Sequence, residues 1–256
     1  MSEADDLLRS GDLDGARRVL VEAVRREPGD APTRLFLFQL LAVAGEWDKA
    51  KAQLATLAQL SPDAQLLSVV YGQAIDAERV RAATLAGELD GVVHGGSTWA
   101  SSIVDAIRLD AQGATVAASD ARAEAFDAAP DTPGSFDGTR FDWIADADPR
   151  FGPTLEAIIG GRYGLLPFEA VSVIDSEGPR DLRDVVWYPA EITLKAGLRI
   201  AALLPARYPG TAEVVAERLA RATGWNEAGF GSGQRILATS DGADHGLLAV
   251  RSLRFD

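Results

Sequence analysis

The sequence predicts a two-part chain, an α-helical superhelix followed by a mostly β, α+β half. Three observations predict it. Gly11 and Gly45, Leu13 and Trp47, Ala16 and Ala50, Leu20 and Leu54, and Pro28 and Pro62 are each 34 residues apart. Such an echo marks stacked helical hairpins, none of which can bury its apolar face alone. After Pro130 the helical periodicity gives way to short alternating runs with turn signals between them. Finally, 256 residues with 47% apolar content suffice for one large or two ordinary domains. The boundary is drawn between 1–130 and 131–256.

The 34-residue period, its turn glycine, the small residue in the second helix and the closing proline form the tetratricopeptide signature. Residues 3–10 read as a short first helix, and 12–27 as its partner. In the partner, Leu13, Ala16, Val19, Leu20, Ala23 and Val24 recur at spacings of three and four. The second hairpin is Arg34–Ala44, apolar nearly all round, and Glu46–Leu60. The third unit has Arg79 and Thr84 where the glycine and alanine belong, so residues 64–86 read as one long helix ending at Gly87. Gly91–Ser97 is a loop, with Ser97 as the cap of the next helix. The fourth unit returns in phase at Gly113, Ala118 and Pro130.

Such a stack forms a groove. Its consensus lining is Leu35, Gln39 and Ala42 in unit two, with Val69, Gln73, Asp76, Ile103, Ile107 and Asp110 from units three and four. Apolar residues mixed with Asp76 and Asp110 suit an amphipathic helix carrying positive charge.

In the second half, Asp137-Gly138 marks a two-residue hairpin turn. Gly152–Gly160 reads as a short helix stopped by Gly160-Gly161. Strands are expected at Tyr163–Phe168, Ala170–Asp175, Asp184–Trp187, Glu191–Leu194 and Leu198–Leu204. Lys195–Gly197 turns the last two into a hairpin. Ala212–Ala222 is either a helix or an ordered loop. Arg235–Thr239 and Leu247–Leu253 close as a hairpin around Ser240–Gly242. A bent sheet or partly open barrel results.

Charge and composition exclude several functions. The net charge is −13, which argues against nucleic acid, since phosphate binding needs a basic face. No apolar run reaches the ~18 residues of a membrane helix, so no membrane insertion is expected. The acidic start, Met1-Ser-Glu-Ala-Asp-Asp6, lacks the basic region of a signal peptide. With no cysteine there is no disulfide or thiolate site, which fits a cytoplasmic protein.

Residues that could carry chemistry are few. Asp137, Asp142, Asp146 and Asp148 cluster in sequence, and paired carboxylates can hold a cation or move a proton. Their spacing is not that of a calcium loop, and capping with a local Asp148–Arg150 ion pair is the preferred reading. His94 and His245 have no partner at metal spacing. Gly229–Gly233 lacks the ending of a phosphate loop. No metal or cofactor is expected. Trp143 and Trp187 are assigned to core packing, and Trp225 to an exposed loop. Arg162, Arg180, Arg183 and Arg207 either bind a carboxylate or pair with the abundant acids.

The run Thr132-Pro-Gly-Ser-Phe-Asp-Gly-Thr-Arg-Phe-Asp-Trp-Ile-Ala-Asp-Ala-Asp-Pro-Arg-Phe-Gly-Pro153 resembles the ImpE family, also called the TagJ or SciE type. Leu155–Tyr163, Pro167-Phe168, Asp181–Asp184, Trp187–Ala190, Arg207–Gly210 and Gly233–Arg235 continue the resemblance, as does Phe36–Leu40. Trp143, Asp146, Asp148, Arg162 and Trp187 stand in these segments and are expected to be structural. The resemblance implies a cytoplasmic bacterial accessory protein of type VI secretion. It would act as a non-enzymatic adaptor that contacts the N-terminal helix of the small sheath subunit (TssB-like) and works with the ClpV-type disassembly ATPase. From the residues alone, a carboxylate-based metal-dependent enzyme and a self-associating structural module remain open.

Overall fold

The structure is a computed structural model that describes residues 2–210 and 213–256. Seven helices come first: α1 (Glu3–Ser10), α2 (Leu13–Arg26), α3 (Ala31–Val43), α4 (Trp47–Leu60), α5 (Asp63–Leu85), α6 (Thr98–Ala111) and α7 (Thr115–Ala128). Their limits follow from local chemistry. Ser2 and Asp5 form a reciprocal capping box on α1. Asp12 accepts from the Gly15 N–H at 2.7 Å to start α2, and Asp30 accepts from Thr33 at 3.2 Å to start α3. Gly11, Gly45 and Gly113 turn the hairpins at φ of 86°, 71° and 76°, conformations that cost glycine least. Ala16, Ala50 and Ala118 are wholly buried, so each sits where two helices approach too closely for a larger side chain. The degenerate third unit is the single helix α5, 23 residues long and followed by Gly87 at φ 71°. Ser97 stands at the start of α6 but does not cap it. Its hydroxyl donates to Glu169 across the molecule instead.

The second half is an eight-stranded antiparallel sheet in the order β2-β1-β13-β6-β7-β8-β4-β5. Its strands are β1 (Gly134–Phe136), β2 (Thr139–Phe141), β4 (Thr154–Ile159), β5 (Arg162–Pro167), β6 (Val171–Asp175), β7 (Trp187–Leu194), β8 (Arg199–Pro205) and β13 (Ser252–Phe255). Three more, β12 (Asp244–Gly246), β11 (Ile236–Thr239) and β3 (Ile144–Asp146), form a second sheet, and β9 (Thr223–Trp225) pairs with β10 (Gly231–Gly233). The large sheet does not close into a barrel. At one end the outer edge of β5 is met by the 91–97 loop, with the Leu165 N–H donating to Val92 O and the His94 N–H donating to Leu165 O. Among the described residues no helix is long and apolar enough to cross a membrane.

Several sequence expectations are corrected. Gly152–Gly160 is not a helix. It contains β4, and Gly160 and Gly161, both at positive φ, turn β4 into β5. The apolar run misleads because β4 is buried on both faces. Leu155 and Ala157 enter the core beneath the sheet, while Ile158 joins the core shared with the helices. Asp184–Trp187 is not a strand. Leu182–Val185 makes a one-turn 3-10 helix, capped reciprocally by Asp181 and Asp184, and β7 begins only at Trp187. Leu247–Ala249 is another 3-10 turn, so β11 pairs with β12, and β13 crosses to the large sheet between β1 and β6. Within the segment 212–222 only α8 (Val215–Arg218) is helical, and Ala212 lies outside the described residues.

Helices and sheet share apolar cores. One cluster joins Leu37, Phe38, Leu54, Tyr71 and Ile75 of the helices to Ile158, Tyr163 and Trp187 of the sheet. Another packs Ile103, Ile107 and Ala125 of α6 and α7 against Phe151, Leu165 and Tyr208. A third lies wholly within the β half, with Phe168, Tyr188 and Leu204 at its centre.

Candidate functional site

The groove expected from the helical repeat is largely occupied by the chain's own second half. The β6–β7 connection lays its 3-10 turn on α3, and the Leu182 N–H donates to Gln39 Oε1 at 3.0 Å. Ala42 is fully buried and Leu35 is half-buried against the same core. Ile103 and Ile107 are buried under Phe151, Leu165 and Tyr208. Asp110 is committed to Arg122, and Asp76 lies on the surface within reach of Lys51 and Arg79. Val69 and Gln73 have a different setting. Val69 is 57% exposed, and Gln73 lines an open groove of about 850 Å³ beside α5.

That groove runs between α5 and the helix-facing side of the sheet where the helices stop covering it. Val70, Tyr71, Ile158, Ala202 and Leu203 give it an apolar floor. Leu66, Val69 and Val70, three and four residues apart on α5, continue the apolar surface outward. Asp175, Glu177, Asp181, Asp184 and Glu191 line it, against Arg180 and Arg183. Arg180 pairs with Glu177 at 2.6 Å, and Asp175 lies 3.6 Å from Arg254. Such exposed pairs are worth at most about 1 kcal/mol, so an incoming cation can exchange into them.

A buried charge network lies between the helices and the sheet. Arg235, fully buried, donates to Asp146 and to Glu156. Glu156 also takes two bonds from Arg81, at 2.8 and 2.7 Å, and one from the Tyr163 hydroxyl at 2.5 Å. Arg81 reaches Glu78 at 3.3 Å, and Glu78 accepts from Trp187 Nε1 at 3.1 Å. Tyr208 donates to Asp146 at 2.8 Å. The chain of contacts thus runs from α5 through β4 to β3, and it ties both halves together. Asp148 sits beside it, accepting from the Gly231 N–H at 2.7 Å and pairing with Arg150. The oxygens of Asp146 and Asp148 are therefore spent on protein donors, while Asp137 and Asp142 are exposed elsewhere.

The two carboxylates of the network differ in their surroundings. Burial alone would raise Glu156, but Arg81 and Arg235 together hold it at about 2. Burial raises Asp146 to about 6, because only one guanidinium offsets it and Asp148 is close by. The signs are opposite. Glu156, depressed, adds stability above its unfolded value that is lost as pH falls toward 2. Asp146, raised, keeps its proton in the folded state while the unfolded chain releases it, so its contribution declines as pH rises from about 4 to about 6. The Asp146→Asn variant lacks that titration. The unfolding free energy of the unmodified protein minus that of Asp146→Asn is expected to drop by about 3 kcal/mol across this window. Urea unfolding at several pH values measures it, and a difference that rises with pH would overturn the assignment.

Other sequence assignments divide. Trp187 is fully buried, with ring centroids 5.7 Å from both Trp47 and Tyr71. Trp143, assigned to core packing, is instead 45% exposed, because it lies in the turn between β2 and β3 rather than within a strand. Trp225 is exposed, and Arg162 is exposed at the start of β5. His245 is on β12, stacked on Phe136 with ring centroids 3.9 Å apart. Arg81, Glu156 and Arg235 were missed as a set. The available signal was Glu156, a charge inside the apolar run Thr154–Ile159.

The profile of the ImpE protein family matches residues 138–254, and a tetratricopeptide repeat profile matches residues 7–70. The type VI secretion system accessory component TagJ of Pseudomonas aeruginosa is 44% identical over 256 residues, covering 99% of this chain and 91% of that one. The X-ray crystal structure of protein VPA1032 from Vibrio parahaemolyticus superposes with a TM-score of 0.90, covering 100% of this chain and 98% of that one. At 20% identity it shows the shared fold alone. The chain, a tetratricopeptide-like superhelix joined to an ImpE-type sheet, belongs to the ImpE/TagJ family of type VI secretion accessory components.

Proposed function

We propose that this protein is a non-enzymatic cytoplasmic adaptor of a type VI secretion system. It docks the N-terminal helix of the small sheath subunit (TssB-like) in the groove beside α5 and so assists ClpV-linked sheath disassembly. The observation that carries this reading is the open groove, with its apolar floor from Val70 to Leu203 and five carboxylates against two guanidiniums. An amphipathic helix with a basic flank matches both features. The accessory role of the TagJ relative supports the setting. The commitment of Asp146 and Asp148 to Arg235, Tyr208 and Arg150 supports a structural role for the acidic cluster.

A docked helix would bury on the order of 1,200 Å² in total, which fits a transient, micromolar complex. Of the groove residues expected from sequence, Val69 and Gln73 remain in this proposal. A charge at Ile107 would enter the α6–α7 core and test folding rather than docking.

The test is a pull-down of the cognate small sheath subunit, with and without its N-terminal helix. Val70→Glu, at a partly exposed position on the groove wall, is expected to weaken capture at least about tenfold while leaving the fold intact. Undiminished capture by a folded Val69→Glu/Val70→Glu double variant would place the docking site elsewhere.

A further inference from the structure

A second, smaller cleft lies on the other side of the junction between helices and sheet. It measures about 340 Å³ and is bounded by the α3–α4 turn, α5, the Arg207–Gly210 segment and the end of α8. Its charged lining is uneven, with Arg81, Arg207 and Arg218 against the single carboxylate of Glu78. Two of these groups are already spent. Arg81 is held by Glu78, Glu156 and the Arg207 carbonyl, and Glu78 is shared between Arg81 and Trp187. Arg207 and Arg218 have no carboxylate partner among the described residues. Arg207 uses Nη1 alone, donating to Val43 O at 3.0 Å and to Arg218 O at 2.7 Å, the final carbonyls of α3 and α8. Its Nε and Nη2 make no hydrogen bond among the described residues.

We propose that this cleft binds a small oxyanion, a phosphate or a carboxylate group, between Arg207 and Arg218. A planar guanidinium fork with two free donors is the natural partner of such a group. The positive cleft is no by-product of overall charge, since the chain carries a net −13. The volume is at the lower end of the range for small-molecule sites. Desolvation pushes Arg207 down to about 10, Glu78 offsets this in part, and Arg81 and Arg218 add to it, so a bound anion would favour the charged guanidinium. The site is independent of the docking groove, and it spans the turn of the second helical repeat and the sheet.

The experiment uses the full chain and inorganic phosphate, with acetate as a second arm and chloride at matched ionic strength as reference. Phosphate is expected to raise the thermal midpoint above that in chloride, and to change tryptophan emission, because Trp47 lines the cleft. The Arg218 side chain makes no hydrogen bond or ion pair among the described residues. Arg218→Met is expected to weaken the apparent affinity about tenfold or more. Arg207→Lys, which keeps a cation but loses the fork, should weaken it as well. Stabilisation by phosphate alone assigns a phosphoryl group, and stabilisation by acetate also assigns a carboxylate. No stabilisation by either anion, or equal stabilisation in both variants, overturns the site.

Discussion

Arg235→Met is expected to lower the unfolding free energy by about 3–5 kcal/mol. The arginine is fully buried, and its removal takes a cation from two carboxylates and strands one of them, Asp146. Glu156 keeps Arg81 and Tyr163, but Asp146 keeps only hydroxyl and amide donors. A buried carboxylate without a cation carries a desolvation cost that its remaining hydrogen bonds do not offset. Chemical denaturation gives the value directly. The triple variant Arg235→Met/Asp146→Asn/Glu156→Gln should recover part of the loss, because it removes the carboxylate charges as well as the cation. A single-variant loss under about 1 kcal/mol would mean that the network is not dry.

Trp187→Ala is the second large effect, with an expected loss of about 3–5 kcal/mol. The indole is fully buried between Trp47 of α4 and Tyr71 of α5, so the cavity opens where helices and sheet meet. It also leaves Glu78 without its indole donor. The more informative readout is the shape of the transition. With Leu37, Tyr71, Ile158 and Trp187 in one cluster, the helical and sheet signals are expected to fall together, in the variant as in the parent. Two separated transitions would make residues 1–130 and 131–256 independent folding units. Coincident ones would make the boundary near 130 a change of secondary structure within one unit.

What the sequence disclosed depended on how local the cause was. The turn glycines and the buried alanines act within a few residues, so the helices could be placed from periodicity and punctuation. The Asp137-Gly138 hairpin is legible for the same reason, since both residues adopt positive φ. β4 was misread because burial on two faces erases the alternation that marks a strand. The covering of the repeat's concave face was not legible, because a repeat consensus assumes solvent there, and here the β6–β7 connection lies on α3. Nothing near Gln39 in sequence announces Leu182. The buried network was hidden for a related reason. Arg81, Glu156 and Arg235 are far apart along the chain, and a charge is recognised as buried only once its partner is known.

The position of β13 has a further consequence. It lies inside the sheet, joining the β1–β2 hairpin to β6. During synthesis, β1 and β2 leave the ribosome more than a hundred residues before the strand that connects them to the rest, Gly134 finally meeting Phe255. Until then the hairpin has only its own few hydrogen bonds, too little for independent stability. A pairing of such long sequence separation closes late and slowly. The helical hairpins, whose contacts are mostly local, can form while they emerge. The order of assembly is therefore expected to follow the direction of translation, with the sheet completed last.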